Sequence, residues 1–87
     1  MKKYRILPEL KIRNYRDKVF LYNPWSDNIF ELSKLSWEIA FEISKGKTPK
    51  GLARELEKKW HEDYKEILEK IRNLHSELIR WGILTTT

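Results

Sequence analysis

The longest amphipathic stretch of the sequence, residues 63–81, is the feature that most constrains the fold. Its apolar residues recur at spacings of three and four, which is the period of a helix with one buried side. They are Tyr64, Ile67, Ile71, Leu74, Leu78 and Trp81. Asp63 and Glu66 have the spacing of a capping box at the start, and Gly82 supplies a left-handed stop at the end. The pattern predicts a helix over residues 63–81.

This helix has more apolar surface than one neighbour would cover. Leu68, His75 and Ile79 form a shoulder beside the main stripe, and Lys65 and Arg72 border that shoulder. Together the stripe and the shoulder span an arc of about 160°, whereas one covering surface needs about 100°. Two interpretations follow. Either a neighbouring helix covers the shoulder, or the shoulder forms one half of a binding groove.

Three short strands precede the helical part of the chain. Residues 10–14 alternate between apolar and polar, residues 19–22 are β-branched and aromatic, and residues 28–32 alternate again. Two short, turn-rich connections join them, so the sequence predicts an antiparallel meander. Residues 1–8 read as a basic lead-in.

Two further helices are predicted between the meander and residue 63. Ser33 is placed to cap a helix that runs to about Ser44, and Thr48 followed by proline is a strong start signal for the next. Trp37 and Phe41 form a second apolar face on the first of these helices. That face either belongs to the core or docks a second protein. Strands followed by helices predict an α+β class, with a three-stranded antiparallel sheet followed by three helices.

Length and composition indicate one domain over residues 1–87, because 87 residues support a single modest core. The sequence contains no cysteine and no apolar run long enough to span a membrane, which favours a cytoplasmic protein. Residues 1–22 contain seven basic and two acidic residues, and this segment alone accounts for the net charge of +5. An acidic partner, either peptide or nucleic acid, is therefore expected.

No set of residues has the spacing of a catalytic or metal site. His61 and His75 are the two histidines, fourteen positions apart, and neither lies in a metal-binding motif. The carboxylates are interleaved with Lys and Arg, as on solvated helix faces. The sequence therefore predicts a binding protein that is not an enzyme and has neither a metal nor a cofactor.

The last strand of the meander is the expected binding edge. Lys11 and Arg13 on the first strand blunt that edge against pairing, whereas residues 28–32 carry one charge and no proline. A guest peptide would add as a strand, and its alternate side chains would enter a slot between the sheet and the last helix. The predicted peptide-binding residues are Asn28, Ile29, Phe30, Glu31, Leu32, Lys65, Leu68, Arg72, His75 and Ile79.

Several short motifs resemble one known family, and their order and spacing cover residues 5–84. They are Phe20-Leu21-Tyr22-Asn23-Pro24, Phe30-Glu31-Leu32-Ser33, Trp37-Glu38-Ile39, Gly46-Lys47-Thr48-Pro49 with Leu52-Ala53, and Leu78-Ile79-Arg80-Trp81-Gly82-Ile83-Leu84. In these motifs the chain resembles the PqqD-like proteins, also called RiPP recognition elements. Ser33 stands where the family usually has Asn, and it keeps the ability to cap a helix.

The resemblance implies a winged-helix-like fold and a function in natural product biosynthesis. Proteins of this family bind the leader segment of a ribosomally made precursor peptide and present it to a modifying enzyme. In the family the leader adds to the third strand of the sheet and packs against the third helix. The partner enzyme would be a radical SAM enzyme in a pyrroloquinoline quinone-type pathway, or a leader peptidase in a lasso-peptide-type pathway.

A winged helix-turn-helix DNA-binding regulator is the alternative, since its elements have similar lengths. The recognition helix of such a protein is expected to be basic. Residues 63–81 contain four basic and four acidic residues, so this helix is neutral. The sequence therefore favours a peptide over nucleic acid as the partner.

Overall fold

The computed structural model describes residues 3–86. Five strands and three helices follow one another as β1 (Tyr4–Ile6), β2 (Lys11–Tyr15), β3 (Lys18–Asn23), β4 (Asn28–Ser33), α1 (Lys34–Ser44), α2 (Pro49–Trp60), α3 (Tyr64–Arg80) and β5 (Leu84–Thr86). The predicted α+β class and its three-stranded antiparallel meander are confirmed, and the predicted third strand is β4. No helix within residues 3–86 has the length and apolar character needed to cross a membrane.

The meander has the strand order β2-β3-β4, with β3 in the centre. Val19 and Leu21 of β3 are fully buried, because they point toward the helices. Phe20 and Tyr22 alternate with them and lie on the other face of the sheet, where they are only half-buried. One face of the sheet therefore packs on the core and the other remains open.

The starts of α1 and α2 follow the predicted caps. The hydroxyl of Ser33 accepts a hydrogen bond from the backbone N–H of Ser36, and the hydroxyl of Thr48 accepts one from that of Gly51. The predicted capping box of α3 is wrong, because the side chain of Asp63 makes no cap hydrogen bond. Packing of the buried stripe fixes the position of α3, so its start does not depend on that cap.

The end of α3 is as predicted. Gly82 has a φ of 75°, and the backbone N–H of Ile83 donates to the carbonyl of Leu78 at 2.9 Å. This turn directs Ile83 and Leu84 into the core, where both are almost fully buried.

The predicted set of three strands omits one that lies within the basic lead-in, at residues 4–6. These residues form β1 and pair antiparallel with β5, so that Tyr4 lies opposite Thr86 and Ile6 opposite Leu84. Met1 and Lys2 lie outside the described residues. Strands of three residues are too short to show a periodic pattern. Two strands at opposite ends of the chain are also not joined by a turn that would predict their pairing.

Candidate functional site

Strand β4 forms one edge of the meander, and it pairs with β3 alone among the described residues. The backbone N–H of Lys34 donates to the carbonyl of Asp17, so these two residues form a hydrogen-bonded pair. Hydrogen-bonded pairs and pairs without hydrogen bonds alternate along an antiparallel ladder, so this pair fixes the pattern along β3 and β4. Ile29 and Glu31 therefore belong to pairs without hydrogen bonds, opposite Tyr22 and Phe20. Their backbone N–H and C=O groups point away from β3, toward the open edge.

The side chain of Phe30 faces the helices, on the same side of β4 as the buried Leu32. It stacks on Trp81 at the end of α3, with ring centroids 5.5 Å apart and planes 20° from parallel. The stack brings the C-terminal end of α3 beside the middle of β4. An aromatic floor therefore adjoins the open edge.

One stripe of α3 continues this floor. Lys70, Leu74 and Trp81 lie within an arc of about 40° around the helix. Leu74 is half-buried and Lys70 is exposed. Both line a depression of about 200 Å³ among the three helices, together with Leu35 of α1 and Trp60 of α2. We call the β4 edge with Phe30, Lys70, Leu74 and Trp81 the edge groove.

The predicted shoulder of α3 lies elsewhere. Leu68, His75 and Ile79 are about 120–160° around the helix from Trp81. His75 meets Tyr4 of β1, so the structure places it beside the terminal strand pair instead of β4. Ile79 remains 41% exposed, while Lys65 and Arg72 are solvent-exposed. The predicted residues thus separate into two groups: Asn28–Leu32 at the sheet edge, and the shoulder with its two basic residues.

The environment of His75 explains this separation. Its ring lies edge-on to that of Tyr4, and burial lowers the pKa of the imidazole. Atom Nε2 is buried without a hydrogen-bond partner within residues 3–86. On the same side of α3, the guanidinium of Arg54 lies 4.9 Å from the ring centroid of Tyr64, so α2 also adjoins this flank. Strand β1, which contacts His75, was not predicted from the sequence. This flank of α3 was therefore expected to be available for binding.

Trp37 and Phe41 differ in burial. Trp37 is half-buried against the core, whereas Phe41 is 45% exposed, with the Lys45 ammonium 4.5 Å from its ring centroid. Their role in docking a second protein stays a prediction. Within residues 3–86, no group of three His, Asp or Glu residues is arranged to hold a metal ion.

Two solved structures share this architecture over almost the whole chain. One is lasso peptide synthetase B1 complexed with the leader peptide, with a TM-score of 0.82, 18% identity, and coverage of 95% of this chain and 98% of that one. The other is TbiB1 in complex with the TbiA(beta) leader peptide, with a TM-score of 0.75, 18% identity, and coverage of 92% and 93%.

This chain has the fold of those two proteins. No protein-family profile matches the sequence, and no curated protein is significantly similar to it. At 18% identity the likeness extends to the fold. The two neighbours have leader peptides bound.

Proposed function

We propose that this protein is a RiPP recognition element formed by one domain. It is a non-catalytic binding protein that captures the leader segment of a ribosomally synthesised precursor peptide and presents it to a modifying enzyme. The observation that carries the proposal is the open β4 edge beside the Phe30–Trp81 stack. The same fold in two proteins with leader peptides bound supports it.

The backbone of β4 provides the first part of the interaction. The outward N–H and C=O groups of Ile29 and Glu31 are two residues apart, which is the repeat that an added strand requires. Neither residue lies within a hydrogen-bonded pair with β3, so an added strand displaces no existing ladder bond. These main-chain bonds would supply affinity without regard to the guest sequence.

Side chains of the edge groove provide the selectivity. Alternate guest residues would point toward Phe30, Leu74 and Trp81, which favour aliphatic or aromatic side chains. Lys70 is exposed on the same stripe of α3 and would favour an acidic residue nearby. The expected ligand is an extended segment with alternating apolar residues and at least one carboxylate.

The edge groove and the residues predicted from the sequence lie on different flanks of α3. Lys65, Leu68, Arg72, His75 and Ile79 stay predicted peptide-binding residues, but they lie on the flank of α3 where His75 contacts Tyr4 of β1. The edge groove uses the opposite flank. Variants of the two flanks therefore distinguish the two placements.

The proposed partners follow from the proposed function. The precursor leader peptide binds first, and the enzyme that acts on it is a radical SAM enzyme or a leader peptidase. The protein itself needs no cofactor for this role, since hydrogen bonds and apolar contacts bind the peptide. We place this activity in the cytoplasm, where precursor peptides are made.

An amide-shift NMR titration tests the proposal. The isotope-labelled protein is titrated with a synthetic leader peptide from a short open reading frame beside its gene, and with a scrambled peptide as control. Saturable shifts centred on residues 28–32 and on Lys70 to Trp81 are expected from the leader peptide alone. An absence of shifts with the peptide, together with salt-sensitive shifts with duplex DNA, would instead support a winged helix-turn-helix regulator.

A further inference from the structure

The sheet has a second face that the edge groove does not use. The register places Lys11 opposite Tyr22, Arg13 opposite Phe20, and Ile29 opposite Tyr22, so these side chains share one face. They line a shallow depression of about 310 Å³ on the side away from the helices. We call these five residues, Lys11, Arg13, Phe20, Tyr22 and Ile29, the outer sheet face.

The outer sheet face combines exposed apolar surface with positive charge. Ile29 is 71% exposed, and the rings of Phe20 and Tyr22 are half-buried beside it. Within residues 3–86, Lys11 and Arg13 make no salt bridge, whereas Lys18 is paired with Glu31 at 3.1 Å. Aromatic residues and Arg are enriched in protein interfaces, and the apolar residues here are contiguous.

The charge on this face argues against a second copy of the chain as its occupant. Two copies placed face to face would put Lys11 and Arg13 of both copies into one interface, and an excess of like charges in an interface is unfavourable. Nucleic acid would neutralise the two cations but would leave Ile29 without an apolar partner. A protein surface with an apolar centre and acidic residues opposite Lys11 and Arg13 complements both features, since Glu31 on the same face is already paired with Lys18.

The position of the face relative to β4 suggests which protein that is. This step depends on the proposed function: a peptide added to β4 would project alternate side chains onto the outer sheet face, beside Ile29 and Glu31. The bound peptide would then extend the face by one strand. A partner docked there would contact both the domain and the peptide.

We propose that the outer sheet face docks the enzyme that acts on the captured peptide, through an apolar surface of that enzyme rimmed by carboxylates. Because the enzyme contacts peptide and domain together, peptide binding increases the affinity of the domain for the enzyme. By linkage, the enzyme increases the affinity for the peptide by the same factor. The enzyme is thereby recruited preferentially to a domain that has captured a peptide.

The test uses the modifying enzyme or leader peptidase encoded beside this gene and measures its affinity for the full chain by calorimetry, with and without the leader peptide. Two variants alter the face: Lys11→Glu with Arg13→Glu, and separately Phe20→Thr, which keeps a β-branched residue in β3. The control is Lys50→Glu with Lys58→Glu, which changes the net charge equally at exposed positions of α2. Leader-peptide affinity is measured separately for every variant.

Each face variant is expected to weaken enzyme binding at least about tenfold relative to the control, with the leader-peptide affinity equal to that of the control. Enzyme binding equal to the parent in both face variants would overturn the docking proposal. The docking proposal would also be overturned if the parent did not bind the enzyme. It would likewise be overturned if the face variants disrupted a dimer or a nucleic acid complex of the parent. Failure of the parent to bind leader peptide would sink the proposed function, whereas the enzyme measurements without peptide still decide the docking site.

Discussion

The imidazole of His75 meets the ring of Tyr4 edge-on, with ring centroids 4.6 Å apart and planes at 83°. Tyr4 belongs to β1, which pairs with β5, so this contact joins the longest helix to the strand pair formed by the two ends of the chain. Burial lowers the pKa of His75, and Nε2 has no hydrogen-bond partner within residues 3–86. A proton added to this ring would have no acceptor there.

We therefore predict that stability decreases in mildly acidic solution. The pKa of His75 in the folded protein lies below its ordinary value of 6.5. As the pH falls below about 6.5, the unfolded chain binds a proton that the folded chain does not, so the free energy of unfolding falls. Above that pH the neutral His75 makes its full contribution to the free energy of unfolding. Thermal melts between about pH 7.5 and 5 would show a falling midpoint in the parent.

The control variants assign this effect to one ring. His75→Phe keeps an aromatic contact with Tyr4 and removes the titrating group, so its midpoint should depend less on pH. His61→Asn changes the exposed histidine at a left-handed position that Asn tolerates, and it should keep the dependence of the parent. An unchanged pH dependence in His75→Phe would contradict the assignment.

Proline substitutions test the strand edge. Ile29→Pro removes an amide that points to the open edge of β4, so leader-peptide binding should weaken at least about tenfold while the fold is kept. Asn14→Pro is the matched control, because the register directs the amide of Asn14 to the open edge of β2. Circular dichroism checks folding, and calorimetry checks binding. Equal binding by both variants and the parent would mean that the peptide does not pair with β4.

Charge reversals compare the two flanks of α3. Lys70 and Arg72 are both exposed, but Lys70 lies on the stripe of Leu74 and Trp81, whereas Arg72 borders the opposite shoulder. Lys70→Glu should weaken leader binding about fivefold or more, and more than Arg72→Glu does, because it places a carboxylate in the edge groove. Fluorescence titration of a labelled leader peptide measures both. A larger loss from Arg72→Glu would place the peptide on the shoulder.

Local signals were sufficient for most of the fold. Ser33 and Thr48 cap their helices as predicted, and alternation together with turn residues located the three meander strands and the open edge of β4. The pairing of β1 with β5 was not predictable, because Tyr4 and Thr86 are brought together only by tertiary structure. That omission also bears on the choice between the two flanks of α3, which stays a prediction. Without β1 the His75 side of α3 seemed uncovered, and the Leu74–Trp81 side was assigned wholly to the core.

Gly82 offers a test of the turn that leads from α3 into β5. Its φ of 75° lies in the left-handed region, and a Cβ there would lie 3.5 Å from Nδ2 of Asn23, which is ordinary contact. A side chain at this position is therefore unfavourable because of the left-handed backbone conformation, and not because of a steric clash with Asn23. Gly82→Ala should lower the free energy of unfolding by about 1–2 kcal/mol. Gly82→Asn should lower it less, because Asn adopts this conformation more readily. Urea denaturation measures both, and an alanine variant as stable as the parent would contradict the left-handed turn.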